Sequence, residues 1–484
     1  MESFDLLVIG GGINGTAVAR DAAMRGAKVL LVEKDDLAQH TSSASSKLIH
    51  GGLRYLEYYE FRLVREALKE REILLRTAPH IVRPLSFVLP HGGGTRPWWM
   101  VRAGLALYDL LAWGSSLPRS RSINSGDTER RAPLKPDAGR RLAVYWDAWV
   151  DDARLVALNA VDAAERGAEI ATRTEFISAR RAGDVWEASL AGGRVVAARA
   201  IVNAAGPWVA ETLGKRLRED AVSRARLIKG SHIVVPRLWD GGHAYILQQP
   251  DRRVVFAIPY EGQFTLIGTT DMPVATPEEA RISAIEIQYL CDAANLYFTR
   301  QIAPADMVWS YSGIRSLFDD GAADAKAVTR DYHLELDDDP GAQLLSIFGG
   351  KITTARALAV EAMDLLGIEG RKSTSWSALP GGEIFDDFNS WLEGHAGWVP
   401  RPLLRRLAFA YGTRLRALLG EATGLQDLGR HFGAGLYEAE IRYLIAHEFA
   451  RTAEDILWRR TKLGLHMTDG ERAEVARFLD QGPS

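Results

Sequence analysis

Apolar positions along this chain fall into three textures that change at definite points. The first is the nearly unbroken apolar run: Phe4-Asp5-Leu6-Leu7-Val8-Ile9, Val29-Leu30-Leu31-Val32, Ala200-Ile201-Val202-Asn203 and Leu344-Leu345-Ser346-Ile347-Phe348. Such runs mark parallel strands buried on both faces. The last of them leads through Gly349-Gly350-Lys351 into a helix expected to begin near Thr353. The second texture comprises His232-Ile233-Val234-Val235, Ala244-Tyr245-Ile246-Leu247, Val254-Val255-Phe256-Ala257-Ile258 and Phe264-Thr265-Leu266-Ile267, divided by Gly241-Gly242, Pro250-Asp251 and Glu261-Gly262-Gln263. Short branched and aromatic runs between turn residues predict an antiparallel meander. Beyond it, Thr276, Pro277 and Glu279 supply an N-cap, a first helical residue and a capping-box acid, which predicts a helix to about Tyr297. The third texture follows Pro380-Gly381-Gly382. Leu403, Leu404, Leu407, Ala410 and Tyr411 recur at helical spacing, and Glu438 to Thr461 is rich in helix formers.

These textures divide the chain. A discontinuous dinucleotide-binding domain is expected from residues 1–75, 145–210 and 340–375, a substrate domain from 76–144 and 211–339, and a helical domain from 383–484. A chain of 484 residues is in any case too long for one core.

The first run carries the strongest chemistry. It enters a turn of the form GxGxxG (Gly10, Gly12, Gly15), a small-residue helix follows, and the second run ends on Glu33. Gly10 permits the tight turn, Gly12 lets a pyrophosphate approach the backbone, and Gly15 allows helix to pack on strand. The helix N-terminus offers unpaired amides to the phosphates, and Glu33 can accept a bond from an adenosine ribose. A hydroxyl-rich and then glycine-rich segment comes next, Thr41-Ser42-Ser43-Ala44-Ser45-Ser46-Lys47-Leu48-Ile49-His50-Gly51-Gly52-Leu53-Arg54-Tyr55. Its small residues let backbone approach a large flat ligand and supply short hydrogen bonds.

Composition narrows the classes. Fifty-nine basic against 62 acidic residues give a formal charge of -3, no electrostatic case for a nucleic-acid binder. One cysteine, Cys291, excludes an intrachain disulfide and a CxxC redox pair. No HExxH, cysteine cluster or GxSxG appears, so neither a metal nor an activated nucleophile is indicated. The N-terminus lacks a basic leader and no apolar run is long enough to cross a bilayer, so a cytoplasmic protein is expected. One segment can still touch a membrane. From Arg96-Pro97-Trp98-Trp99-Met100-Val101-Arg102 it continues through Leu105, Leu107, Tyr108, Leu110, Leu111 and Trp113 to Arg119 and Arg121. Tryptophans beside arginines on a leucine-rich helix suit a membrane interface, and equally a buried helix with core tryptophans.

Further blocks complete a pattern. They are Val150-Asp151-Asp152-Ala153-Arg154-Leu155, Asn203-Ala204-Ala205-Gly206-Pro207-Trp208, Ile228-Lys229-Gly230-Ser231-His232, Ile267-Gly268-Thr269-Thr270-Asp271, Tyr311-Ser312-Gly313-Ile314-Arg315, Thr329-Arg330-Asp331-Tyr332 and Phe348-Gly349-Gly350-Lys351-Ile352-Thr353-Thr354. From Asp5 to about Leu465 the chain resembles the FAD-dependent, respiratory glycerol-3-phosphate dehydrogenases of bacteria. The resemblance implies an α/β fold with a Rossmann-like FAD domain of the glutathione-reductase/D-amino-acid-oxidase type, an antiparallel cap over the flavin and a C-terminal α-helical domain. It implies oxidation of glycerol 3-phosphate to dihydroxyacetone phosphate, electrons passed to ubiquinone, a peripheral place on the inner membrane's cytoplasmic face, and a homodimer.

Expected cofactor contacts are Gly10, Gly12, Asn14, Gly15, Glu33, Lys34, Thr41, Ser42, Ser43, Ser45, Ser46, Lys47, Ala204, Gly206, Trp208, Gly349, Gly350, Lys351 and Thr353. A phosphate dianion needs guanidinium forks supported by hydroxyls. By resemblance Arg54, Arg315 and Arg330 form that clamp, beside Tyr55, Thr269 and Thr270. Where family members often carry proline after the arginine of the Ser-Gly-x-Arg block, this chain has Ser316, which loosens the expected loop. Alcohol oxidation also needs a base at the hydroxyl. His232 and His50 both qualify, with His232 preferred as base, His50 orienting substrate or cofactor, and Lys351 stabilising charge on the reduced ring. An amine or oxygen-using oxidase of the same superfamily, and a catalytically silent flavin protein, are the alternatives.

Overall fold

The computed structural model describes residues 1–91, 97–123, 126–138, 140–217, 225–251, 253–318, 331–337, 341–384 and 397–482, without the side chain of Arg54. Arg330 lies outside the described residues.

Two sheets organise the molecule. In the first, the strands Gln343–Phe348, Val195–Asn203, Glu2–Ile9, Val29–Val32 and Glu169–Ala171 lie side by side and parallel. The first four of these strands hold the unbroken apolar runs, and both faces of the sheet are covered. On one face pack the helices Ile13–Met24, Asp152–Glu165 and Ala355–Leu365, whose alanines (Ala17, Ala22, Ala153, Ala160, Ala359, Ala362) let them close on the strands and each other. The other face is covered by the antiparallel pair Phe176–Ala182 and Val185–Leu190, through Phe176 and Trp186.

The second sheet is mainly antiparallel. Ala225–Pro236 pairs with Phe264–Gly268, which pairs with Val254–Tyr260, then Ala244–Gln248, so the predicted meander is present. Trp309–Phe318 extends it along the other edge of Ala225–Pro236. Val82–His91, Arg141–Val150 and Leu48–Ile49 extend it further, so residues 145–150, grouped by sequence with the dinucleotide unit, complete a strand of the second sheet. The helix expected from Thr276 is not continuous. Its capping box is formed but closes a single turn, Pro277–Glu279, and the helix proper, Ala284–Asn295, starts at a second box of Ser283 and Glu286. Arg315 and Ser316 stand within a strand rather than a loop, because ten consecutive residue pairs tie that strand to Ala225–Pro236.

The C-terminal region folds around its own apolar core, with Leu404, Leu407, Leu444 and Ile456 among its members. The predicted helix from Glu438 breaks after Glu438–His447 and resumes as the wider turn Asp455–Arg460. Buried ion pairs dock this region on the dinucleotide layer: Arg154 to Glu448 at 2.6 Å and Arg460 to Asp36 at 2.8 Å. Either partner alone would be an uncompensated buried charge, costing about 3–5 kcal/mol, so the docked position is strongly specified.

Candidate active site

One cavity of about 520 Å³ lies where the carboxyl ends of the parallel strands meet the second sheet. Ligands bind at this place in open α/β sheets because the strand-to-helix turns expose backbone there. Two glycines of the turn are dictated by close approach. A Cβ on Gly15 would stand 1.9 Å from the Gly10 carbonyl, and one on Gly10, where φ is +111°, would stand 2.5 Å from the Ala204 carbonyl. Gly15 therefore serves packing and does not line the cavity, whereas Gly10 and Gly12 do. Asn14 donates to the Gly349 carbonyl at 3.0 Å, joining the first glycine turn to the last.

The hydroxyl-rich loop runs along this cavity, and most of its hydroxyls hold the loop itself. Ser42 Oγ accepts from the Ile13 amide at 2.9 Å, Thr41 donates to the Ile314 carbonyl at 2.7 Å, and Ser45 donates to Asp152 at 2.7 Å. Thr41, Ser42, Ser45 and Ser46 still face the cavity, as do Glu33, Lys34, Ala204, Gly206, Trp208, Gly349, Gly350, Lys351 and Thr353. The Glu33 carboxylate accepts from the Gly11 amide at 2.6 Å and the Asp35 amide at 2.9 Å, which fixes its position at the end of its strand. Burial pushes its pKa up, against the effect of those amides.

Ser43 and Lys47 depart from expectation. Neither lines this cavity. Lys47 Nζ is buried and bonded to Asp152 at 2.9 Å and to the Ser43 carbonyl at 3.0 Å, so both residues belong to the loop's anchoring. An ammonium deprived of water takes the carboxylate within reach.

Cross-strand register assembles the opposite wall. Tyr311, His232, Gly268 and Phe256 are successive partners across four strands. The His232 ring stacks on Tyr311 at 4.9 Å and lies over Gly268, where a Cβ would stand 1.9 Å from its Cδ2. Ser46 Oγ is 2.9 Å from its Nε2. His50 meets Phe256 edge-on at 6.2 Å. Both imidazoles are neutral at physiological pH. Burial, then the charges of Lys47 and Arg315, push the His232 pKa down to about 3, and burial, then Lys351, pushes that of His50 down to about 4.

The predicted cations separate into two groups. Lys351 Nζ is buried without a hydrogen-bond partner and sits 4.1 Å from the centre of the Tyr55 ring, which also faces the cavity. Arg315 lines the cavity with Thr269 and Asp271, and its guanidinium is oriented by the Asp271 carboxylate at 2.6 Å and the Thr270 carbonyl at 3.2 Å. Thr270 is turned away: its hydroxyl donates to Glu286 at 2.8 Å and accepts from the Ser231 amide at 3.0 Å. Glu286 gathers Thr270, Ser231, Ser283 and Lys229. Burial alone would raise its pKa, but those donors hold it down to about 2.

Sequence reasoning missed Tyr311, Asp271, Glu286, Phe256 and Arg253, the last a cation on the cavity wall. Tyr311 and Asp271 stood in blocks already noted. Their tasks needed the strand register.

FAD fits this cavity. The glycine turns admit a pyrophosphate, Glu33 stands where an adenosine ribose is read, and the unpartnered Lys351 ammonium waits for an electron-rich group. Comparison with known proteins agrees. The family "FAD dependent oxidoreductase" matches residues 5–356, and the "C-terminal domain of alpha-glycerophosphate oxidase" matches residues 372–480. The D-erythritol 1-phosphate dehydrogenase of Brucella abortus is 50% identical, over 99% of this chain and 98% of its own length. The aerobic glycerol-3-phosphate dehydrogenase of Escherichia coli is 48% identical, over 99% and 98%. A crystal structure of the Bacillus halodurans glycerol-3-phosphate dehydrogenase complexed with FAD superposes with a TM-score of 0.75 at 26% identity, over 99% of this chain and 94% of that one. The chain belongs to the FAD dependent oxidoreductase family and is an enzyme with FAD as its cofactor, carrying behind its catalytic part the C-terminal domain of the glycerophosphate oxidases.

Proposed function

We propose that this enzyme is an sn-glycerol 3-phosphate:quinone oxidoreductase yielding dihydroxyacetone phosphate. The observation that carries this reading is the presence, on one cavity, of a neutral buried imidazole and a guanidinium oriented by a carboxylate beside it: His232, and Arg315 with Asp271. Arg315, with Thr269 and Tyr55, grips the phosphoester, and Arg54 and Arg330 complete the clamp. FAD, when bound, supplies a two-electron acceptor for the hydride on C2. His232 takes the hydroxyl proton, its ring fixed by Ser46 and Tyr311. His50, beside Lys351 rather than Arg315, orients the cofactor side, and Lys351 offers its ammonium to negative charge developing there.

The helix Trp98–Leu111 supports a membrane-bound acceptor. It buries one stripe, Val101, Leu105 and Tyr108, and leaves Met100 and Leu110 in the open. Trp99 is 67% exposed and Trp113, just beyond, 77%, which favours the interfacial reading over a core helix. No helix among the described residues is long and apolar enough to cross a membrane, so this reading places the enzyme peripherally on the inner face, as a homodimer by family resemblance.

A second reading has specific support, since the B. abortus relative is named for a four-carbon polyol phosphate. One anaerobic assay separates the two. FAD-loaded protein is mixed with glycerol, glycerol 3-phosphate or D-erythritol 1-phosphate while the flavin absorbance is followed. Bleaching by glycerol 3-phosphate but not glycerol is expected. Bleaching by the erythritol ester alone would overturn the substrate.

A further inference from the structure

A second cavity, of about 260 Å³, lies across the 39–47 loop from the first. Several parts of the fold meet around it, among them that loop, the Trp309–Phe318 strand, and the C-terminal domain through Trp458. Ala44, Gly313 and Ile314 are among the residues that line both cavities, so the two adjoin at this point. Gly313 packs closely here, since a Cβ on it would come within 2.9 Å of the Ala44 methyl.

One side of it is aromatic, and Glu454, Lys47, Arg459 and Lys462 border the rest. Trp309 and Trp458 stack at 5.0 Å with their planes 27° apart, and Tyr311 continues the row to His232. Tyr260 lines the same space. It is 1% exposed, yet its hydroxyl has no hydrogen-bond partner, and a buried donor left this way is rare unless a ligand or water completes it. The bordering cations are already matched: Lys47 by Asp152, Arg459 by Asp36 and Asp455, Lys462 by Asp151. The cavity therefore holds no spare positive charge for a phosphate. Its volume, below the roughly 300–1,000 Å³ of drug-sized sites, suits one small ring system. A flat aromatic side with an unpaired Tyr260 O–H donor matches a planar, uncharged ring bearing carbonyl oxygens, and the Glu454 carboxylate on the wall disfavours an anion.

We propose that this second cavity binds the headgroup of the quinone acceptor, its ring against Trp458, Trp309 and Tyr311 and one carbonyl oxygen accepting from Tyr260. The proposal rests on the acceptor reading above and gives that acceptor a place. The balance is closed: the alcohol loses two electrons and two protons to become a ketone, and the quinone gains two electrons and two protons to become a hydroquinone. The C-terminal domain acquires a task in the reaction, because Trp458 supplies part of the wall.

The test uses the full-length, FAD-loaded enzyme and tailless 2,3-dimethoxy-5-methyl-1,4-benzoquinone, with binding to the oxidised enzyme measured by calorimetry. Tyr260→Phe keeps the ring and deletes the donor, and a dissociation constant about five- to tenfold higher is expected, the worth of one hydrogen bond. Trp458→Leu opens a wall and is expected to weaken binding at least tenfold. Flavin content and anaerobic bleaching by glycerol 3-phosphate should stay at wild-type values in both, since neither residue lines the first cavity. Wild-type affinity in both variants would overturn the site while leaving the acceptor reading intact. Failure of the quinone to reoxidise bleached wild-type enzyme would remove the acceptor reading, and the site with it.

Discussion

The two walls of the flavin cavity are built on different principles. The dinucleotide side is made of backbone, with glycine turns at strand ends and helix amides, and its few side chains mostly anchor the loop to neighbouring elements. The cap side is made of side chains, among them His232 and Arg315, each aimed by pairing between strands far apart in sequence, with Thr269 just beyond a strand end. A wall of backbone tolerates almost no added atom, whereas a wall of side chains loses functions one at a time. Substitutions should therefore act on flavin binding as all-or-none on one side, and split rate from affinity on the other.

The largest effect is expected at Gly15→Ala. The added methyl would meet the Gly10 carbonyl at 1.9 Å, a backbone atom that cannot swing aside. The variant should purify without flavin, read as the ratio of absorbance near 450 nm to that of protein; full flavin content would mean the turn is softer than the packing implies.

On the opposite wall, His232→Gln should retain flavin and lose about 10²- to 10⁴-fold in the anaerobic reduction rate, the usual worth of a positioned base. It should also change how stability depends on pH. The folded pKa of about 3 lies below the ordinary 6.5, so the unfolded chain takes up its proton first, and stability is lost as pH falls from 6.5 toward 3. Without this imidazole the decline should be shallower by up to about 1.4 kcal/mol per pH unit, as followed by urea unfolding between pH 6 and 4. An unchanged slope would mean that the ring is already protonated in the fold. Arg315→Ala comes next, with the KM for glycerol 3-phosphate raised about 10- to 100-fold, the worth of a charge-assisted bond, and flavin content unaffected.

The same contrast explains what was legible in the sequence. The strand, glycine turn, helix and acid at the start of the chain read correctly because each depends on neighbours within about thirty residues. The meander read correctly as strands, but not as a register, and the register is what brings His232, Gly268 and Phe256 into one row. Lys47 looked like a ligand for the cofactor because its partner, Asp152, is 105 residues away. The helix from Thr276 was read too long because one capping box hides a second, four residues after Glu279, whose acid also collects Ser231 and Thr270 from the sheet. Local chemistry is visible in a sequence, and competition between distant partners for one side chain is not.

Thr270 offers the smallest and most selective test of that difference. By its motif it belongs with Thr269 beside the substrate, yet its hydroxyl joins Glu286 to the Ser231 amide beneath the cavity wall. Thr270→Val preserves the shape and removes the hydroxyl, leaving a buried amide without its acceptor and the Glu286 carboxylate short of one donor. Such a loss costs about 1–3 kcal/mol of stability, which should lower the melting temperature by several degrees. The KM for glycerol 3-phosphate should stay within about twofold of wild type, because no bond to substrate is lost. Thr269→Val should do the reverse, raising KM with little change in melting temperature. A Thr270→Val enzyme of native stability whose KM has risen tenfold would put that hydroxyl back in the substrate's reach, and with it the motif's own reading of the site.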